Sequence, residues 1–176
     1  NVEDHLLLLL VTSLGSNMRF LVDSGCKKSC IRRRGSETPY KRRKLDHPLT
    51  CIAYDGSKST TETLLRIPFS YRDNRNETHH DSWNFLEVDM DTSDYDAILG
   101  VDFIRSRKGL IDTQFDFLKI SINRKRVSIG LVSPNDPIDE PNSSLVSALR
   151  MRDQLREYHS WGGDDCPIHV VYVNEK

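Results

Sequence analysis

The chain has almost no net charge, no long apolar run and no cysteine pair at metal-binding spacing. Its 25 lysines and arginines nearly balance 26 aspartates and glutamates over 176 residues, a formal net charge of -1. That balance offers no global attraction to nucleic acid. The longest purely apolar stretch, 6–11, falls far short of the ~20 residues that span a bilayer, so no membrane partner is expected. No basic segment precedes it and no small-residue cleavage site follows, so it does not read as a secretion signal. The cysteines, Cys26, Cys30, Cys51 and Cys166, form no CxxC pair and no zinc pattern with the six histidines. Free thiols in a reducing compartment are the expectation, with no metal and no cofactor. Glycosylation sequons at Asn76 and Asn142 are discounted for want of a secretion signal. Because the chain starts at Asn1, it is expected to be cut from something longer.

What is present is strand. Residues 6–13 and 18–23 read as a hairpin turning at Gly15, Ser16 and Asn17, with a short strand near 29–31. Residues 32–48 carry two basic runs, Arg32 to Arg34 and Lys41 to Lys44, broken by Gly35, Pro39 and Pro48. A solvated loop is the plain reading; "PYKRRKLD" also fits a nuclear-localisation or phosphate-binding patch. A long hairpin follows at about 49–71, with Asp55-Gly56 at its tip. Residues 72–81 read as a polar loop and 82–90 as a strand. "AIL" (97–99) ends at Gly100, and 101–107 has helical spacing stopped by Gly109. Strands near 110–111, 115–121 and 127–132 complete about eight short strands around one helix. Residues 133–143 are a Pro-rich linker, and 144–176 an appended amphipathic helix and strand. The chain is expected to be mainly β.

The chemistry centres on Asp23-Ser24-Gly25, at the end of the apolar strand "RFLV". A carboxylate there is costly to desolvate unless something compensates. With "AYDGS" at 53–57, "ILGVDFI" at 98–104 and "GLID" at 109–112, this segment resembles the retropepsin-like aspartic proteases, closest to those of gypsy-class LTR retrotransposons. The resemblance covers roughly residues 5–132 and rests on the order of the motifs rather than on any one.

It implies a closed β-barrel or sandwich of short strands with one internal helix, acting as a homodimer. Domain 1–132 would be the protease domain, with a flap hairpin at about 49–71 and a basic insert at 32–48. Asp23 of each subunit would meet its copy on the two-fold axis, one protonated and one ionised, and together they would activate a water. Ser24 would bond across the dimer, and Gly25 would let the backbone approach an extended peptide. Cys26, Lys27, Ile98, Val101 and the flap residues Tyr54, Asp55, Gly56 and Ser57 would line the substrate. The substrate would be a Gag/Pol-type polyprotein, processed in a cytoplasmic virus-like particle, with nuclear entry through 41–44 as a further option. "YDGS" (54–57) and "LIDTQ" (110–114) are imperfect echoes of the acid motif, so one chain supplies one acid.

Two positions depart from the family. Cys26 stands where Ala is usual. Retroviral members pair an Asp after it with a basic residue following the second-signature glycine; here those positions are Lys27 and Val101. These departures motivate a second reading, a catalytically idle domain kept for dimerisation or scaffolding. A third, a ubiquitin-linked shuttle protease of the same fold, ranks low because the chain shows no ubiquitin-like segment.

Overall fold

The computed structural model describes residues 6–52, 56, 58–134 and 170–171. Strands β1 (Leu8–Ser13) and β2 (Ser16–Val22) pair antiparallel from Leu8↔Leu21 to Ser13↔Ser16. The turn falls on Leu14 and Gly15, one position earlier than expected. Both have positive φ, 46° and 81°, which matches a two-residue connection to the right-handed twist of its strands. β2 then pairs in parallel with β7 (Ala97–Leu99), which is antiparallel to β3 (Cys30–Arg32). β3 runs parallel to β6 (Thr78–Val88), and β6 pairs antiparallel with β5 (Lys58–Arg72). β5 returns to β1 at Thr12↔Ser70, and Ser13 Oγ donates to Pro68 O at 2.5 Å. The ring β1-β2-β7-β3-β6-β5 is therefore a closed six-strand barrel, and closure removes the sheet edges that an open sheet leaves. The mainly β class and the closed barrel are as expected.

β4 (Lys41–Ile52) stands outside the ring, bonded along β5. The helix α1 (Val101–Ser106) follows β7 directly. A second sheet, in the order β10-β9-β8-β11, comprises β8 (Leu110–Asp112), β9 (Phe117–Ile122), β10 (Lys125–Gly130) and β11 (Val170–Val171). The described residues thus hold eleven strands rather than about eight; β3, β7, β8 and β11 are only two or three residues long. β11 lies in the strand-like tail, whereas the expected helix at 144–159 lies outside the described residues.

The barrel closes on aromatic side chains. Phe20 meets Phe69 and Phe85 at centroid distances of 5.1 and 5.3 Å, and Phe69 meets Phe103 of α1 at 6.1 Å. Such tilted and edge-on contacts suit the ring quadrupoles and add to the apolar burial. α1 is clamped at its end by Arg107. This side chain forks onto Asp81, Nη2 to Oδ1 at 2.5 Å and Nε to Oδ2 at 3.1 Å, and lies over the Trp83 and Phe103 rings.

The basic segment is not a loop throughout. Lys41 to Lys44 pair with Arg66 to Thr63, and the register shifts between Lys44 and Leu49, where Pro48 has no N–H to offer the ladder. Tyr40 is buried, its hydroxyl bonded to Ser13 Oγ at 2.9 Å. Arg42 Nε donates to the buried Glu87 Oε1 at 2.7 Å, and Arg32 donates to the carbonyls of Met90, Thr92 and Tyr95. One arginine from each basic run is thus engaged in structural bonds, Arg42 of the suggested patch with Glu87 and Arg32 with the loop after β6. The polar loop also shrinks to 73–77, because Asp73 Oδ1 accepts from the N–H groups of Arg75 and Glu77, and its Oδ2 meets His79 Nε2 at 2.7 Å.

Candidate active site

Asp23 takes its place from the barrel ladder. Phe20, Leu21 and Val22 are buried, and the Asp23 N–H donates to Leu99 O at 3.0 Å, one step past the parallel pairing of β2 with β7. The carboxylate therefore stands where the strand leaves the core, half-buried rather than sealed inside. Its Oδ1 accepts from Gly25 N at 2.8 Å, and its carbonyl accepts from Cys26 N at 3.3 Å. This is an Asx-type turn, in which the side chain imitates a backbone turn. A Cβ on Gly25 would sit 3.1 Å from that same Oδ1, tight enough to push the carboxylate aside.

The loop beyond is fastened to the start of α1. Val101 N donates to Cys26 O at 2.7 Å, and a Cβ on Gly100 would collide with that carbonyl. Gly100 is thus fixed by close backbone approach. Its N–H donates to Ser29 Oγ at 2.9 Å. Ser29 Oγ in turn donates to Asp102 Oδ1 at 2.7 Å, while Ser29 N donates to both Asp102 oxygens at 3.0 and 3.1 Å. Trp83 Nε1 completes the set, donating to Asp102 Oδ2 at 3.1 Å. Asp102 therefore ties β6, α1 and the loop after Asp23 at one point. Lys27 and Val101 cannot form an ion pair; Ser29 and Asp102, two residues and one residue further along, make this contact. Sequence reasoning did not single out Asp102. Its signal was an acid in the first turn of a helix, which ordinarily reads as a partner of the helix dipole.

Of the candidate residues, Cys26 and Ile98 share one cluster. Cys26, Cys51, Ile98, Leu45 and Leu64 pack against a small buried cluster of Cys30, Leu86 and Val88. That cluster joins the loop after Asp23, the strand before Gly100 and the stem of the β4–β5 hairpin. Val101 is half-buried at the start of α1, Ser24 is half-buried beside Asp23, and Lys27 is exposed. At the hairpin tip Gly56 has φ of 82°, the left-handed region that favours glycine. Tyr54, Asp55 and Ser57 lie outside the described residues. Ile52 and Leu49, on the stem, are exposed apolar residues, at 67% and 41%.

The echo at 110–114 is structural. Asp112 is buried, its Oδ1 accepts from Gln114 N and Phe115 N at 3.0 and 3.2 Å, and Lys119 Nζ lies 3.4 Å from its Oδ2. An acid so engaged is a turn and strand anchor; Asp102 is likewise taken up by Ser29 and Trp83, which leaves Asp23 as the candidate acid among the described residues.

No protein-family model matches the chain, and no curated protein matches it. Among solved structures it is similar to the crystal structure of the retroviral protease-like domain of Ddi1 from Leishmania major, at 19% identity and a TM-score of 0.44. The match covers 76% of this chain and 97% of that one. The fold assignment stands on the barrel's own connections: a mainly β, closed barrel with a strand-end acid beside a helix N-terminus.

Proposed function

We propose that the chain is an aspartic endopeptidase that works as a homodimer, with Asp23 from each subunit forming one catalytic pair. The observation that carries this reading is the half-buried Asp23 carboxylate at the end of a barrel strand, turned by Gly25, with Cys26 of the same loop packed on the cluster that Leu45, Cys51 and Leu64 of the hairpin stem also join. Two such carboxylates brought together cannot both ionise, so they share a proton. The ionised partner takes a proton from a trapped water as that water attacks the peptide carbonyl. The protonated partner donates its proton to the developing oxyanion; as the C–N bond breaks, the partner that took the water proton gives it to the leaving nitrogen and the other recovers a proton from a gem-diol hydroxyl. The pair titrates as a unit.

The β4–β5 hairpin is the flap of this reading. An extended peptide would lie beneath it as an added strand, its alternate side chains meeting Cys26, Ile98, Val101 and the exposed Ile52. The substrate class proposed is a retrotransposon-type polyprotein, and the setting a cytoplasmic particle. The basic run loses weight as a nuclear signal, since Arg42 is spent on Glu87.

A second reading, an idle domain kept for dimerisation, is favoured by one specific feature: Lys27 places a cation where the family's substrate-contacting acid stands. One experiment separates the two. Purified protein is incubated with a Gag-like polyprotein at about pH 5 to 6, between the two proton states of a carboxyl pair, alongside Asp23→Asn. Cleavage by the wild type alone supports the protease; equal outcomes for both proteins support the idle domain.

A further inference from the structure

The chain carries four cysteines, and three of them meet beside Asp23. Cys30 is buried on β3, between β6 and β7. Cys26 lies on the loop that follows Asp23, and Cys51 on the hairpin stem; both pack on the cluster that holds Cys30. All three are free thiols. Cys26 and Cys30, four residues apart in sequence, pack in the same cluster, and Cys26 Sγ lies 3.0 Å from Lys28 O. Cys26 is partly exposed, so a small oxidant can reach it, while Cys30 is shielded behind it.

We propose that Cys26 and Cys30 form a peroxide-driven, reversible disulfide that acts as a redox switch on the active-site loop. The Cys26 thiolate attacks a peroxide oxygen: the O–O bond breaks, an S–O bond forms, and hydroxide leaves. Sulfur is oxidised to the sulfenic acid and the peroxide is reduced. The Cys30 sulfur then attacks Cys26 sulfur. The S–S bond forms as the S–O bond breaks, and the departing hydroxide takes the Cys30 proton as water. In sum, two thiols and one hydrogen peroxide give a disulfide and two waters.

The division of roles follows from the surroundings. Cys26 is the partly exposed thiol of the two, and the neighbouring Cys30 side chain lowers its pKa, with burial and the nearby Asp23 and Asp102 carboxylates opposing that shift without cancelling it. Cys30 is buried, and its pairing with Cys26 and its burial shift it the opposite way, which makes it the resolving thiol rather than the first to react. The bond would close across Lys27, Lys28 and Ser29 and take the Cys26 sulfur from Lys28 O. Because Cys26 O receives Val101 N, it would pull on the link between the Asp23 loop and α1. Loss of turnover on oxidation rests on the protease reading; the bond itself does not.

The test is a peptide map of the reduced full chain treated with hydrogen peroxide, alkylated and digested with trypsin. Cutting at Lys27 and Lys28 places the two cysteines in separate peptides, 20–27 and 29–32. The expected result is these two peptides joined, with a mass loss of about 2 Da that dithiothreitol reverses. In Cys30→Ser, dimedone should trap the sulfenic acid on Cys26, and in Cys26→Ser Cys30 should stay unlabelled. Peptide 20–27 joined instead to the peptides carrying Cys51 or Cys166 would overturn the proposal. So would Cys26 passing to sulfinic acid without any bond. Should the variants fail to fold, the wild-type map decides alone. An inactive chain that still forms the bond would sink only the protease reading.

Discussion

At the scale of single residues, Glu87 shows how a buried acid is made tolerable. Its burial works to raise its pKa. The Arg42 guanidinium, the Arg34 N–H and the Thr63 hydroxyl, all bonded to its oxygens, outweigh that and hold it below the ordinary value of 4.5. A group whose folded pKa is depressed contributes stability that is fully present above its unfolded pKa and lost as pH falls through the folded one. Glu87 therefore supports the fold at neutral pH and ceases to do so in acid. Asp73 behaves alike: burial opposes, while His79 and the N–H groups of Glu77 and Arg75 hold its pKa down. Glu87→Ala should lower unfolding free energy at pH 7 by roughly 2 kcal/mol, since it takes the acceptor from a charged guanidinium and from two half-buried donors. Urea titrations should show that gap narrowing below about pH 4. A gap that is constant across pH would contradict the assignment.

Gly100 is the sharper residue-scale case. Gly100→Ala places a Cβ against Cys26 O and 3.1 Å from the Lys28 carbonyl carbon, both backbone, so neither can swing away. The variant should lose at least about 2 kcal/mol of stability by urea unfolding, as overpacking does, together with any cleavage activity. The demand for glycine there was legible from the sequence, because an apolar strand running directly into a helix leaves room for little else. Asp23 and Gly25 were legible for the same reason: strand end and turn chemistry coincide in three adjacent residues. The Arg42–Glu87 pair was not. Nothing local to either residue marks a partner 45 positions away, and a basic run next to Pro and Gly carries the composition of a loop.

At the scale of elements, the site depends on how α1 is held. Asp102 fixes its first turn to Ser29 and Trp83, and Arg107 fixes its end to Asp81. Asp102→Ala would leave Ser29 N and Trp83 Nε1 short of an acceptor, so stability should fall by about 1–3 kcal/mol. The rate of cleavage should fall further than that loss explains, because the Asp23 loop is freed. Asp102→Asn, which keeps an acceptor oxygen, should recover part of both. Thermal unfolding and kcat measured on the same preparations test this; equal kcat in all three would remove Asp102 from the site. The element that sequence reading placed least well is β4. Its first four residues are bonded strand, yet their side chains are basic and largely exposed, so no alternation of apolar and polar residues announces it. Long pairing with β5 supplies the order that side-chain pattern does not.

At the scale of the whole molecule, Asp23 is the half-buried strand-end acid of the site among the described residues, since Asp112 is already engaged in its own turn and ion pair. The mechanism therefore requires a second copy of the chain. Sedimentation velocity should show a dimer at the concentrations where cleavage occurs, with specific activity falling as the protein is diluted through its dissociation range. The measurement that tests the shared pair most directly is a mixing titration, in which Asp23→Asn is added to a fixed amount of wild type and cleavage is followed at equilibrium. If each active unit needs Asp23 from both subunits, an equimolar mixture with random pairing should fall to about half the activity per wild-type chain and decline further with excess variant. Activity that stays proportional to wild-type chain, however much Asp23→Asn is present, would contradict the account.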